Sequence, residues 1–107
     1  MESLSIELIK KLIQEKNLKW TRHVIIRLFQ RQISQEDVEY CLQNGEIIEM
    51  YNTSYPYPSC LVYGTTKGDK IIHTVVGFDD KDLWIITAYY PNNNEWENDF
   101  KARRKLN

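Results

Sequence analysis

The chain has two histidines, the side chains whose ordinary pKa allows proton transfer near neutral pH, and they sit in different company. His23 belongs to a run in which His23, Arg27 and Arg31 recur at steps of four. On an α-helix that spacing sets the three on one stripe, each about 40° round from the last, with Val24, Ile25, Ile26, Leu28 and Phe29 filling the remaining arc. No Asp or Glu between Trp20 and Gln35 offsets Arg22, Arg27 and Arg31, so the stripe carries like-charge repulsion that an idle surface normally avoids. Guanidinium is a planar fork that matches phosphate oxygens, and imidazole can give or take a proton. The stripe therefore has the makings of phosphodiester chemistry; a solvated helix face is the plainer reading of the same residues.

His73 sits in Ile71-Ile72-His73-Thr74-Val75-Val76, among β-branched residues, where an imidazole is ordinarily a hydrogen-bonded packing element. The following apolar run, Leu83 to Tyr90, carries hydroxyls at Thr87, Tyr89 and Tyr90. Whether they share a face with His73 turns on strand register, since a slip of one residue reverses every side chain. The tail Lys101-Ala102-Arg103-Arg104-Lys105 adds four cations. The catalytic candidates are His23, Arg27, Arg31, His73 and Tyr89, and the candidates for holding a polyanion are Arg22, Thr87, Arg103 and Arg104.

Other chemistries lack their signatures. Gly45, Gly64, Gly68 and Gly77 are scattered and form no phosphate-cradling loop, and no serine lies in a GxSxG elbow. Cys41 and Cys60 make neither a CxxC nor a second pair, so they read as reduced, buried thiols. Asp79, Asp80 and Asp82 cluster at one hairpin tip, whereas a two-metal nuclease needs carboxylates converging from several elements. No metal and no cofactor is expected.

The elements that must position these groups fall into two blocks. Residues 4–16 carry apolar side chains at helical spacing behind Ser3 or Ser5, with Asn17 as the stop. Thr21 can cap a second helix through about Gln32, and Ser34 with Asp37 forms a capping-box start for a third helix ended by Gly45. Four β-rich runs follow: Glu46 to Tyr51, Cys60 to Thr66, Lys70 to Phe78 and Leu83 to Tyr90. Turn residues separate them, so sequential antiparallel pairing is the economical arrangement, and Glu95 to Arg104 suits a short helix or an ordered tail. The expectation is an α+β fold, with N-terminal helices packed on one face of a twisted four-stranded antiparallel sheet and the other face open.

At 107 residues the chain fits a single domain, with residues 1–19 as a helical extension and 20–104 as the core. Hydrophobic residues make up 42% and charged residues 27%, ordinary for a globular protein, and no run approaches the roughly 20 apolar residues of a membrane span. The start, Met1-Glu2-Ser3-Leu4, does not read as a secretory signal, so a cytoplasmic location is expected. A net charge of −1 denies the chain an overall basic excess, so an RNA role would rest on the local patch around the second helix.

Three blocks in order, Arg22 to Ser34, Asn44-Gly45-Glu46-Ile47-Ile48-Glu49, and Ile85 to Pro91 with Trp96 close behind, resemble the bacterial domain-of-unknown-function family 4258. Pro58 to Val62 and Ile72 to Val76 fit the same pattern, and Gln32 departs from it where the family usually has glycine. The family is placed near the barnase, EndoU, colicin and RelE-like ribonuclease toxins. The resemblance implies helices on a twisted antiparallel sheet, RNA as ligand (ribosome-bound mRNA included), and a cognate antitoxin as partner. It also implies metal-independent cleavage by attack of a ribose 2′-hydroxyl on the adjacent phosphorus, with His23 as acid or base, Arg27 and Arg31 at the phosphate, and His73 or Tyr89 completing a proton relay. Two alternatives compete: a non-catalytic module that holds RNA or an acidic protein on the same helix face, and an interaction subunit whose first helix, Leu4 to Lys16, docks on a partner or on a second copy as a homodimer. No membrane partner is expected.

Overall fold

A computed structural model describes residues 3–105. The order of elements is α1 (Ile6–Gln14), β1 (Leu18–Trp20), α2 (Arg22–Gln30), α3 (Gln35–Asn44), β2 (Glu46–Tyr51), β3 (Ser59–Thr65), β4 (Ile71–Phe78) and β5 (Leu83–Tyr89). Each helix starts where a hydroxyl can satisfy a free backbone N–H. Ser5 accepts from the Leu8 amide at 3.1 Å, Thr21 from Val24 at 3.1 Å, and Ser34 from Asp37 at 3.0 Å, the last closed into a capping box by the Asp37 carboxylate.

α1 and α2 both end with the double bond pattern in which the chain turns left-handed just past the last turn. In α1 that residue is Lys16 (φ 60), one position before the expected stop at Asn17. In α2 it is Gln32 (φ 58), with its amide on the Phe29 carbonyl and the Ile33 amide on that of Leu28. This is the position where the resemblance implies glycine, and the left-handed backbone there is one that a residue without a Cβ adopts more easily.

The sheet has five strands, not the four expected, and it is mixed, in the order β1-β5-β4-β3-β2. The extra strand is Leu18–Trp20, which runs parallel to Leu83, Trp84 and Ile85 at the edge. β2 to β5 form the expected antiparallel meander. α3 and α1 cover one face, where Leu8, Ile9, Leu12, Ile13, Val38, Cys41 and Leu42 meet Cys60, Val62, Ile72, Val76, Leu83 and Ala88. α1 is thus part of the core rather than an appendage, and its apolar stripe is spent within the chain. Both thiols are buried, and desolvation pushes Cys41 up to about 11 and Cys60 up to about 12, which leaves neither a ready nucleophile.

The second face is not open across its width. Residues 91–105 form turns and an isolated bridge between Trp96 and Arg103 rather than a helix, and the segment around Trp96 and Phe100 lies on the sheet. Leu61 and Trp96 are buried yet stand apart from the main core, as they must if a smaller apolar layer lies on the far side. The open face expected from the sequence is corrected because the tail carries a tryptophan that needs burial and cations that find acids on β2.

Close approach of α3 to β3 depends on Gly64, where a Cβ would stand 2.6 Å from the Cys41 carbonyl oxygen and 2.7 Å from its sulfur. Gly64→Ala must push the helix off the sheet and is expected to cost about 1–3 kcal/mol in urea denaturation. Gln32→Gly should act the other way, raising stability by about 1 kcal/mol in the same assay by removing the left-handed penalty.

Candidate functional site

The stripe on α2 faces β5. Its last member, Arg31, donates from Nη1 to the Thr87 hydroxyl at 3.0 Å and to the Ala88 carbonyl at 2.8 Å, so it is a half-buried clamp. Its first member, His23, is exposed and lines a groove of about 380 Å³ together with Ser54, Tyr55, Tyr57, Trp84 and Ile86. Arg27 lies between them, one helical turn from each, exposed and without an ion pair among the described residues. Arg22 is exposed beside His23. The structure therefore keeps His23 accessible in the groove, leaves Arg22 and Arg27 exposed on α2 outside its lining, and commits Arg31 and Thr87 to holding helix against strand.

Only Val24 and Leu28 of α2 are buried, because the helix meets the sheet along one narrow line. Ile25, Ile26 and Phe29, read from the sequence as part of the apolar arc, stand in solvent, Phe29 at 84% exposure.

The groove wall formed by β5 owes its shape to a bulge. Val75 pairs with Thr87 and Val76 with Ile85, so Ile86 is the extra residue, turned out at the groove. Trp84 is fixed by its indole N–H, which donates to the Asp79 carboxylate at 2.9 Å. The same carboxylate accepts from the Lys81 amide at 3.0 Å and the Asp82 amide at 2.7 Å, and these bonds hold it below the usual carboxylate range, the Asp82 amide first among them. The acidic hairpin tip is thus a turn that orients a ring. Tyr57 rests over Gly77, the cross-strand partner of Trp84, where an added Cβ would come within 3.5 Å of the tyrosine ring.

His73 is elsewhere. It pairs with Tyr89 across β4 and β5, so the two share a face, and it is fully buried beneath the tail. Its Nε2 lies 2.7 Å from the Phe100 carbonyl, which can only accept, so Nε2 carries the proton and Nδ1 is left to accept from the Tyr89 hydroxyl at 3.4 Å. Trp96 packs edge-on at 4.4 Å between ring centroids. Four residues of strand separate His73 from Gly77 beside the groove, about 13 Å, so His73 and His23 do not meet. Tyr89 belongs with His73.

Three of the four tail cations are engaged inside the molecule. Arg103 makes a two-pronged pair with Glu49 at 2.8 and 3.1 Å and lies 4.5 Å over the Trp96 ring. Lys101 pairs with Glu46 at 2.7 Å and covers Tyr63, while Arg104 pairs with Glu97 at 3.2 Å and also meets the Asn93 carbonyl. Glu49 is held below its ordinary value: partial desolvation raises it, but its bonds from Arg103 and Tyr51 outweigh that. Tyr55, Tyr57 and Trp84 belong to none of the sequence motifs, and the alternation Tyr55-Pro56-Tyr57-Pro58 is the one local signal for the first two. Among the described residues no group of three His, Cys, Asp or Glu could hold a metal ion, and no helix is long and apolar enough to cross a membrane.

Burial lowers the His73 pKa from its ordinary 6.5, chiefly by desolvation, although the Phe100 carbonyl bond opposes it. The folded state then resists a proton that the unfolded chain accepts, so stability is full above pH 6.5 and falls as the pH drops below it. In urea melts between pH 6.5 and 4.5, above the range where Glu49 and Asp79 contribute, wild type should lose stability and His73→Gln should show a flatter profile. An equal slope in both would count against this assignment.

Searches of curated proteins and of solved structures return no match. A sequence profile described as a domain of unknown function, DUF4258, matches residues 20–90, which begin within β1 and end just after β5. The match takes in α2, α3, the meander and the groove, and leaves out α1 and the tail over His73. With about two thirds of its length covered, including every residue that lines the groove, the chain belongs to the DUF4258 family.

Proposed function

We propose that this protein is an endoribonuclease that needs no metal and works at the groove between α2 and β5. The observation that carries the reading is the accessible His23, set in a groove and flanked one helical turn away by an uncompensated Arg27. The reaction class is taken from the placing of the family near the barnase, EndoU, colicin and RelE-like ribonucleases, which the sequence resemblance implies. In that reaction a ribose 2′-oxygen attacks the adjacent phosphorus and loses its proton, the bond from phosphorus to the 5′-oxygen breaks, and that oxygen takes up a proton. His23 handles one of the two transfers and water the other. Arg27 and Arg22 face the charge that builds on the phosphorane oxygens, where a placed cation stabilises the transition state more than the ground state. Arg31 contributes by fixing α2, not by touching RNA.

A second reading, a binding module without catalysis, is favoured by two specific observations. His73 is sequestered, so only one imidazole is accessible, and the exposed Ile25, Ile26 and Phe29 beside Arg22 and Arg27 suit contact with an acidic partner protein such as an antitoxin.

The deciding experiment incubates RNA in the presence of a chelator with wild type, His23→Ala and Arg27→Ala. Wild type should cleave, and each variant should be slower by about 100-fold or more. RNA carrying 2′-deoxyribose at the cleaved position should survive. Equal cleavage by all three proteins would discard the catalytic assignment, and salt-sensitive binding without scission would establish the module in its place.

A further inference from the structure

Resting on the reading that the groove holds RNA, we infer that it takes an unpaired base, so that the substrate class is single-stranded RNA, with the base stacked on Trp84 and Tyr57 and closed over by Tyr55. The groove is more aromatic than phosphate chemistry requires. Three aromatic rings, Tyr55, Tyr57 and Trp84, line it, while no arginine or lysine is among its lining residues. A phosphate backbone has no use for such a lining, whereas every base has a face that stacks on an aromatic ring. At about 380 Å³ the groove falls in the range of sites that enclose small organic groups.

Two of the rings are already held. The Trp84 indole is tied to Asp79, whose carboxylate is fixed by two backbone amides, and Tyr57 is half-buried with its ring beside Gly77. Rings fixed in advance lose little freedom when a ligand stacks on them. Tyr55, by contrast, is 95% exposed, with no hydrogen bond among the described residues, and follows Ser54 at the mouth. An apolar ring left in water at the lip of an aromatic groove is placed to gain burial when a flat ligand enters. A paired base in a duplex shows its edge and not its face, so a duplex cannot fill the groove. Stacking alone reads shape, and the groove should accept any base, with larger purines held better than pyrimidines.

The test uses fluorescence anisotropy with 2′-O-methyl oligonucleotides, which cannot be cleaved by the proposed reaction, so binding is read apart from catalysis. Wild type should bind a single-stranded oligoadenylate about tenfold or more tightly than a duplex of equal length, and tighter than a single strand bearing abasic sites. Tyr55→Ala, a change at an exposed loop position, should lose about tenfold on the single strand and nothing on the duplex, and Tyr55→Phe should retain wild-type binding. Trp84→Phe should keep most of the affinity, since the stacking face remains. Equal affinity for single strand, duplex and abasic strand, with Arg27→Ala weakening all three alike, would overturn base stacking while leaving RNA binding in place. Absence of binding to every probe would end the reading beneath it as well.

Discussion

One guanidinium sets the geometry of the groove. α2 meets the sheet through only two buried side chains, Val24 and Leu28, a contact too narrow to fix the rotation of a helix by packing alone. Arg31 adds direction: Nη1 reaches both the Thr87 hydroxyl and the Ala88 carbonyl, a strand edge that β1 does not cover because its pairing ends at Ile85. Bonds from a charged donor are stronger and more directional than neutral ones. Since His23 and Arg27 share a stripe with Arg31, fixing that end of the helix turns the other end toward Trp84 and Ile86, about 12 Å away. The short β1 is therefore a condition for the site, because a longer one would occupy the edge that Arg31 uses.

The two faces of the sheet solve different problems. The face under α1 and α3 is a dry core in which Cys41, Thr74 and Gly64 let a helix approach closely. The other face carries Glu49, Tyr51, Tyr63, His73 and Tyr89, polar groups that would be costly to cover without partners. The tail supplies those partners: a carbonyl for His73, a guanidinium for Glu49 and an ammonium for Glu46. Trp96 adds the apolar area that makes the covering favourable. Because the exposed ion pairs are worth little individually, the tail's hold rests mainly on Trp96 and the His73 bond, with Arg103 stacked across the indole as a lid on both.

A helix that leaves Ile25, Ile26 and Phe29 in water while carrying no acid is poorly designed for solubility alone. Its neighbouring groove, built from a bulge, a glycine and an Asx-type turn, is by contrast held firmly. The proposed catalytic reading draws on the groove, and the proposed binding reading on the exposed apolar residues of α2, which do not line it.

Local rules in the chain were enough to place every helix and the four strands of the meander. Ser5, Thr21 and the Ser34–Asp37 pair each need only neighbours within three residues to start a helix, and alternation with turn residues bounds each strand without outside help. The stripe of His23, Arg27 and Arg31 was legible for the same reason, as was the bland packing role of His73. β1 was not, since three residues show no period and Leu18 finds its partner at Leu83, far along the chain. Register across β4 and β5 was undecided until the bulge at Ile86 put His73 opposite Tyr89. The burial of His73, the exposure of Phe29, the loss of Arg31 to β5 and the gathering of Tyr55, Tyr57 and Trp84 around His23 were decided by tertiary contacts alone. Side-chain period fixes which residues share a face, but only the packing of distant segments determines which faces are covered and by what.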